Sequence, residues 1–154
     1  MSWLWLSLAV LVLDQATKAL ALELLVLHRP VAVAPSLNLT LTYNTGAAFS
    51  LLSDAGGWQR WLFVGLAVAV CGFLLSWLRS VGAGDRWTPM ALALVLGGAA
   101  GNLLDRVMRD GRVVDFIDVY VGQWHWPAFN VADSGICVGA VILIWKALER
   151  EPQD

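Results

Sequence analysis

The sequence predicts a membrane protein of the all-α class, with four transmembrane helices and a small surface β-sheet. Three observations lead to this prediction: the composition, four long apolar runs, and two connecting segments with strand-like sequence. Hydrophobic residues make up 58% of the 154 residues and charged residues only 14%, against about 25% charged in ordinary soluble chains. Too few polar groups remain to cover a soluble surface, so lipid is the expected solvent for much of the chain.

Four apolar runs have the length of a membrane span. They cover about residues 3–27, 61–78, 87–104 and 130–148, near the roughly 20 residues that cross about 30 Å of hydrocarbon. The second run contains no charge, and Pro89 lies in the first turn of the third, where proline is tolerated. We therefore expect a single integral membrane domain over residues 1–154.

The tryptophans support these span limits, because all of them lie near the ends of the runs, as in an interfacial aromatic belt. They are Trp3, Trp5, Trp58, Trp61, Trp77, Trp87, Trp124, Trp126 and Trp145. Four spans put both termini on one side of the membrane and segments 28–57 and 105–130 on the other. Lysine and arginine flank both faces in similar numbers, so the positive-inside rule does not decide the orientation.

Two connecting segments resemble strands. Residues 37–44 alternate apolar and polar side chains, and residues 112–121 are rich in β-branched and aromatic residues after the turn pair Asp110-Gly111. An open sheet edge cannot lie in lipid. We therefore expect a small sheet on the membrane surface, covering the ends of the helices.

Three charged residues, Asp14, Lys18 and Glu23, interrupt the first span. Each costs about 2.5–3.5 kcal/mol on insertion scales. Asp14 and Lys18 are four residues apart and share a helix face, so they can pair. One interpretation is a structural ion pair that steadies helix packing, and the other is a pair that supports a functional site inside the bundle. Both stay open at this point.

The third span ends in small and polar residues, from Gly98 to Arg106. The small residues allow another helix to approach closely. Asn102 and Arg106 share a face, with Asp105 one step around it, and arginine is well suited to hold carboxylates. An ordinary helix end with a local Asp–Arg pair is the alternative.

Aspartates on two further elements matter most for chemistry. Asp115 lies on the second predicted strand, and Asp133 lies in the first turn of the fourth helix, where a carboxylate can also serve as a simple cap. We expect Asp118 to be solvated. The topology brings the following residues near one membrane face: Asn44, Asn102, Asp105, Arg106, Asp115, Asn130 and Asp133.

Two aspartates that meet in a low-dielectric site retain one shared proton, and such a pair can hydrolyse a peptide bond. The alternatives are poorly supplied. His28 and His125 are isolated, no metal-ligand spacing occurs, and Cys71 and Cys137 lie in apolar runs, where we expect small buried side chains without a disulfide. We expect no cofactor and no metal. The net charge of −2 gives no indication of a nucleic-acid partner.

Other classes of function remain as alternatives. A small ion or proton transporter could use Asp14, Lys18, Asp115 and Asp133 as a path through the membrane, although the second span contains no charged residue to continue such a path. A purely structural membrane subunit is a further alternative. Among enzymes, the alternative is a general intramembrane aspartyl protease that acts on unmodified helices.

Four segments, in this order, resemble the lipoprotein signal peptidases, the type II signal peptidases of bacteria, over nearly the whole chain. They are residues 14–18 (DQATK), 44–50 (NTGAAFS), 98–106 (GAAGNLLDR) with 113–117 (VVDFI), and 129–133 (FNVAD). The resemblance implies that Asp115 and Asp133 are the catalytic dyad. It also implies two accompanying sets: site-lining residues Asn44, Gly46, Asn102, Arg106 and Asn130, and a supporting polar network of Asp14, Lys18 and Asp105.

The same resemblance implies an aspartic endopeptidase. Its substrate is a prolipoprotein that carries diacylglycerol on the cysteine after the cleavage site, and the cut falls just before that cysteine. It also implies a multi-pass protein of the bacterial cytoplasmic (inner) membrane, with both termini cytoplasmic and the sheet and active site at the non-cytoplasmic interface, near the outer leaflet. We expect membrane lipid as a partner and a monomeric enzyme. A diacylglyceryl group leaves the bilayer at a cost of about 0.8 kcal/mol per CH₂, so such an enzyme must meet its substrate at the membrane surface.

Overall fold

A computed structural model describes residues 3–45, 58–82 and 84–149. Over these residues the elements are α1 (Leu4–Leu24), β1 (Val31–Ala34), β2 (Leu37–Asn44), α2 (Gln59–Ser80), α3 (Trp87–Met108), β3 (Val113–Val121), β4 (Trp124–His125) and α4 (Val131–Glu149). Four helices are long and apolar enough to cross a membrane. The predicted fold class, four membrane helices with a small sheet, is therefore confirmed.

Helix α3 is the centre of the bundle, because it packs against α1, α2 and α4. Glycines make this packing close. A Cβ added at Gly97 would lie 2.6 Å from the carbonyl oxygen of Ser7 in α1, and one at Gly139 would lie 2.6 Å from that of Ala91 in α3. A Cβ at Gly98 would collide with the backbone of α4 at Ala132. Helix association in lipid depends on such close contact rather than on a hydrophobic driving force.

Helix α2 is the least buried of the four and packs mainly on α3. A Cβ at Gly65 or Gly72 would meet nothing within 4 Å. The two cysteines are free, but Cys71 is only half-buried and Cys137 is exposed, so the expectation of buried cysteines was wrong. Lipid solvates an apolar side chain well, and a membrane helix therefore has no need to bury a small hydrophobic residue inside the bundle.

The sheet is antiparallel throughout and has the strand order β1-β2-β3-β4. Its central pair aligns Leu39 with Ile117 and Thr42 with Asp115, with an irregularity between these two positions. The connection from α3 to β3 is a tight turn in which Asp110 and Gly111 have φ values of 52° and 84°, a region that glycine adopts freely. This turn brings β3 back across the end of α3.

The two faces of β3 differ in character. Successive side chains of a strand point to opposite faces, so Asp115 shares a face with Val119 and Val121, both of which are exposed. By the register, the exposed side chains of Val31 and Trp124 belong to this same face. An apolar, uncovered sheet surface therefore continues directly from Asp115.

Candidate active site

Asp115 and Asp133 lie at the same end of the bundle, and two asparagine side chains connect them. Asn130 donates from Nδ2 to Asp115 Oδ1 at 2.7 Å, and Asn102 donates from Nδ2 to Asp133 Oδ1 at 2.8 Å. The Asn130 amide also reaches Asn102 Oδ1 at 3.2 Å. Two carboxyl groups from a strand and a helix are thus held in one hydrogen-bonded arrangement.

The carboxyl group of Asp115 is nearly fully buried, at 3% exposure. Burial raises its pKa to about 7, and the neighbouring charge of Asp133 raises it as well, against the lowering effect of hydrogen bonds from Asn130 and Asn44 and of the Lys18 charge. A carboxyl group with this pKa keeps a proton much of the time near neutral pH.

The position of Asp133 follows from the way α4 begins. Asn130 precedes the first helical residue, and its Oδ1 accepts a hydrogen bond from the Asp133 backbone N–H at 2.9 Å. In return the Asn130 N–H donates to Asp133 Oδ2 at 3.3 Å. This reciprocal cap satisfies backbone groups that a helix start otherwise leaves unpaired. The capping role that the sequence allowed for Asp133 is therefore present, and it coexists with the contact to Asn102.

Beneath the two aspartates lies a buried ionic network centred on Lys18. Its ammonium group donates to Asp14 Oδ2 at 2.8 Å, Asp105 Oδ2 at 3.0 Å and Asn102 Oδ1 at 2.9 Å. The side chains of Lys18, Asp14 and Asp105 are fully buried. Both carboxylates also accept backbone hydrogen bonds, Asp14 from Ala132 and Asp105 from Val114. The network therefore ties α1 and α3 to the start of α4 and to β3.

Two members of this network were not among the predicted site residues. Gln15 donates to Asp14, Asp105 and the Gly101 carbonyl at 2.9–3.2 Å, and Arg109 forms an ion pair with Asp105. Both carry a sequence signal in hindsight. Gln15 is part of the segment 14–18, and Arg109 follows Asp105 by four residues, the spacing of neighbours on a helix face.

The remaining predicted residues are distributed around the dyad. Asn44, at the end of β2, hydrogen-bonds to Asp115. Arg106 lies in the last turn of α3, within electrostatic reach of Asp105, Asp115 and Asp133, with its guanidinium 5.4 Å from the ring centroid of Phe63. Gly46 lies outside the described residues.

The expectation that Asp118 is solvated was wrong. It is buried on the face of β3 opposite to Asp115 and is hydrogen-bonded to Asn38 Nδ2 at 2.9 Å and His125 Nδ1 at 2.7 Å. Although burial acts to raise it, these hydrogen bonds hold the pKa of Asp118 below its ordinary value. His125 is therefore not isolated but belongs to the sheet, where it stacks on Tyr120.

The charges at the site nearly balance. Its carboxyl groups are Asp14, Asp105, Asp115 and Asp133, and its cationic side chains are Lys18, Arg106 and Arg109. If Asp115 and Asp133 share one proton, the net charge of the cluster is zero. Because uncompensated charge is costly in a low-dielectric environment, this balance favours a singly protonated pair.

Comparisons with known proteins agree with one another. The family model described as "Signal peptidase (SPase) II" matches residues 6–149. A lipoprotein signal peptidase of Aeromonas hydrophila is 49% identical over 150 residues, covering 97% of this chain and 89% of the relative. One from Hydrogenovibrio crunogenus is 54% identical over 151 residues, covering 97% and 86%.

Solved structures agree as well. Two structures described as bacterial membrane enzymes superpose with TM-scores of 0.87 and 0.85, at 27% and 28% identity. They cover 99% and 97% of this chain, and 93% and 94% of their own chains. The four segments that the sequence singled out lie within the span of the family match. This chain therefore belongs to the lipoprotein signal peptidase family.

Proposed function

We propose that this chain is a membrane aspartyl endopeptidase that removes signal peptides from diacylglyceryl-modified bacterial prolipoproteins, cutting before the lipid-modified cysteine. The observation that carries the proposal is the pairing of Asp115 and Asp133 through the amides of Asn130 and Asn102. Family membership supports the substrate class, and the geometry supports the aspartyl chemistry. We also propose that residues 1–154 form one catalytic domain.

The proposed reaction uses one proton held by the dyad. The ionised aspartate takes a proton from a water molecule, whose oxygen attacks the carbonyl carbon of the scissile bond, while the protonated aspartate donates to the carbonyl oxygen. Collapse of the tetrahedral intermediate breaks the C–N bond. The leaving amine takes up the proton that the first aspartate accepted from water, and a hydroxyl proton of the intermediate returns to the second aspartate, which restores the dyad. The near-neutral pKa of Asp115 supports this scheme, because one member must stay protonated at the working pH.

The surrounding residues have two proposed roles. Site-lining residues orient the dyad or hold the substrate backbone: Asn44, Gly46, Asn102, Arg106 and Asn130. Asp14, Lys18 and Asp105 form the supporting polar network, which fixes the starts of α4 and β3 relative to α1. This chemistry needs no metal or cofactor.

The proposed location is the bacterial cytoplasmic membrane, with both termini cytoplasmic and the site near the outer leaflet. The exposed apolar face of the sheet, which includes Val31, Val119, Val121 and Trp124, supports contact with lipid beside the site. A substrate whose acyl chains stay in the bilayer could then present its scissile bond to Asp115 without leaving the membrane. We expect the enzyme to act as a monomer.

The test is the dependence of cleavage on the substrate's lipid. Purified protein is given a precursor that carries diacylglyceryl on its cysteine, and in parallel the same precursor without the lipid. We expect kcat/KM to fall at least about 100-fold without the lipid, because binding energy from the acyl chains positions the reacting bond. Equal processing of both precursors would instead indicate a general intramembrane aspartyl protease. Ion flux through protein-containing liposomes, with no cleavage, would indicate the transporter.

The pH dependence provides a second test. Because burial raises the pKa of Asp115 to about 7, this carboxyl group should lose its proton as the pH rises through that value. We therefore expect kcat/KM for the lipidated precursor to begin to fall near pH 7 and to decrease about tenfold for each further pH unit. A rate that stays constant up to about pH 9 would show that the reaction does not use a proton on Asp115.

A further inference from the structure

We propose that Lys18 is a positioning residue that acts through Asn102: it holds the Asn102 amide in one orientation and so selects Asp133 as the ionised aspartate, with the proton on Asp115. This inference rests on the proposed function, in which the dyad shares one proton. Lys18 itself does not touch the substrate or either member of the dyad in this scheme.

The geometry at Lys18 determines which end of the Asn102 amide faces it. An ammonium group has three donors and no acceptor, and here all three donors are used, on Asp14, Asp105 and Asn102. The atom of Asn102 at 2.9 Å from Nζ must therefore be its oxygen. The NH₂ group consequently points to the other side, where it meets Asp133 Oδ1 at 2.8 Å.

This orientation matters for the charge on Asp133. An NH₂ group can only donate, and a hydrogen bond donated to a carboxylate stabilises its ionised form. Asp133 also lies in the first turn of α4, where the helix dipole favours a negative charge. Asp115 also accepts a hydrogen bond from an amide, Asn130 Nδ2 at 2.7 Å, so this contact does not distinguish the two aspartates. Asp115, however, lies on a strand without such a dipole, and burial raises its pKa to about 7 in spite of that hydrogen bond. The two environments thus separate the members of the dyad into a base and an acid.

The contacts with Asp14 and Asp105 use only two of the three donors of Lys18. Without the third, the Asn102 oxygen would keep the longer contact from Asn130 Nδ2, at 3.2 Å, in place of the 2.9 Å contact from the ammonium group. The amide could then rotate by half a turn and present its oxygen to Asp133, which would have to be protonated to form the hydrogen bond. The charged and titratable groups that face Asp133 or its amide partner come from α1, α3 and β3. They are Asp14, Lys18, Asp105, Arg106 and Asp115.

The test compares the pH profile of kcat/KM for the lipidated precursor between wild type and Lys18→Met, which keeps an unbranched stem that reaches as far as Cε and removes the donors. We expect the acidic limb to move up by about one pH unit or more, because Asp133 would hold its proton longer. A merely structural role would lower the rate or the thermal midpoint and leave the acidic limb where it is. That outcome would overturn the proposal.

A double-mutant cycle checks that Lys18 acts through Asn102. In an Asn102→Ala background, Lys18→Met should move the acidic limb by less than about 0.3 pH unit, because the group it orients is gone. A direct electrostatic effect of the Lys18 charge on Asp133 would instead move the limb in both backgrounds. An effect of the same size with and without the amide would contradict the inference.

Lys18→Met removes the cation that pairs with the buried carboxylates of Asp14 and Asp105. If this variant does not fold, a second comparison removes one negative charge together with the positive charge and so keeps the net charge of the buried network. The double variant Asp14→Asn/Lys18→Met is compared with Asp14→Asn alone, since the asparagine introduced in both keeps an oxygen for the Ala132 N–H. The same upward movement of the acidic limb is expected, and an unchanged limb overturns the assignment.

The proposed function is tested separately, by cleavage of the lipidated precursor that occurs with the wild type and is lost in Asp115→Asn. If the wild type does not cleave, the function and this inference fall together.

Discussion

Replacement of Asp115 by asparagine is expected to reduce kcat/KM for a lipidated precursor by at least about 10³-fold while leaving the protein folded. Asparagine has nearly the same shape but cannot hold or transfer the proton of the dyad. Because the folded-state pKa of Asp115 is raised to about 7 from 3.8, the wild-type carboxyl group binds its proton more tightly in the folded state. The free energy of unfolding should therefore fall as the pH rises from about 4 to about 7.

The asparagine side chain of the variant would be neutral at every pH and would not contribute to that decline. We thus expect the thermal midpoint of Asp115→Asn in detergent to equal or exceed that of the wild type at about pH 8, with cleavage measured on the same sample. Asp133→Asn should lose activity to a similar extent. Substantial cleavage by either variant would reject the dyad.

Asp118→Asn is the matched control, because Asp118 lies three residues further along the same strand and is similarly buried but points to the opposite face. It should retain cleavage within about threefold of the wild type, since its partners are Asn38 and His125 rather than the dyad. Complete loss of cleavage in this control, with the fold intact, would mean that any carboxylate lost from β3 inactivates the enzyme.

The largest expected effect on stability comes from Gly98→Val. A Cβ at this position would collide with the carbonyl oxygen of Ala132 and would lie 2.8 Å from a side-chain carbon of Ile136. Backbone of α4 cannot yield without separating the two helices, so we expect a loss of at least about 3 kcal/mol of folding free energy. Separation of α3 from α4 would also break the contact of Asn102 with Asp133. Cleavage should therefore be lost with the fold.

Gly72→Val provides the control, because Gly72 is also a glycine in a membrane helix but has nothing within 4 Å of an added Cβ. Its thermal midpoint and cleavage should stay close to those of the wild type. Comparable stability of the two valine variants would contradict the close packing of α3 and α4 described above.

The sequence was informative where physical periodicity or composition is strong. Four apolar runs predict four helices because only a helix of about 20 residues satisfies its backbone across a bilayer. The alternation in residues 37–44 likewise predicts β2. Strands β1 and β4 have four and two residues, too few to establish a period. Helix α3 continues to Met108, past the predicted end of the third span at residue 104. Asp105 by itself suggests the end of a span, but in the structure Lys18 of α1 pairs with its carboxylate.

The same distinction holds for the site. The membrane topology predicted from the sequence was enough to bring Asn102, Asp115 and Asp133 to one end of the bundle, because this placement depends only on the number and order of spans. It could not indicate that Lys18 uses its third donor on Asn102, since this depends on side-chain geometry across helices. Nor could it indicate that Asp118 is buried, because its partners Asn38 and His125 come from neighbouring strands whose register the number and order of spans do not determine.

The hydrogen bond from the Ala132 N–H to Asp14 connects positions that are 118 residues apart in the chain. When α1 enters the bilayer, Ala132 has not yet been synthesised, and Asp14 and Lys18 have only each other, at 2.8 Å within one helix. That internal pairing lets the helix enter lipid before its later partners exist. Asp133 belongs to the last helix, so the pair of aspartates is complete only when that helix is in place. On the proposed function, a nascent copy is inactive until its last helix is inserted, and passing signal sequences cannot be cut by an unfinished enzyme.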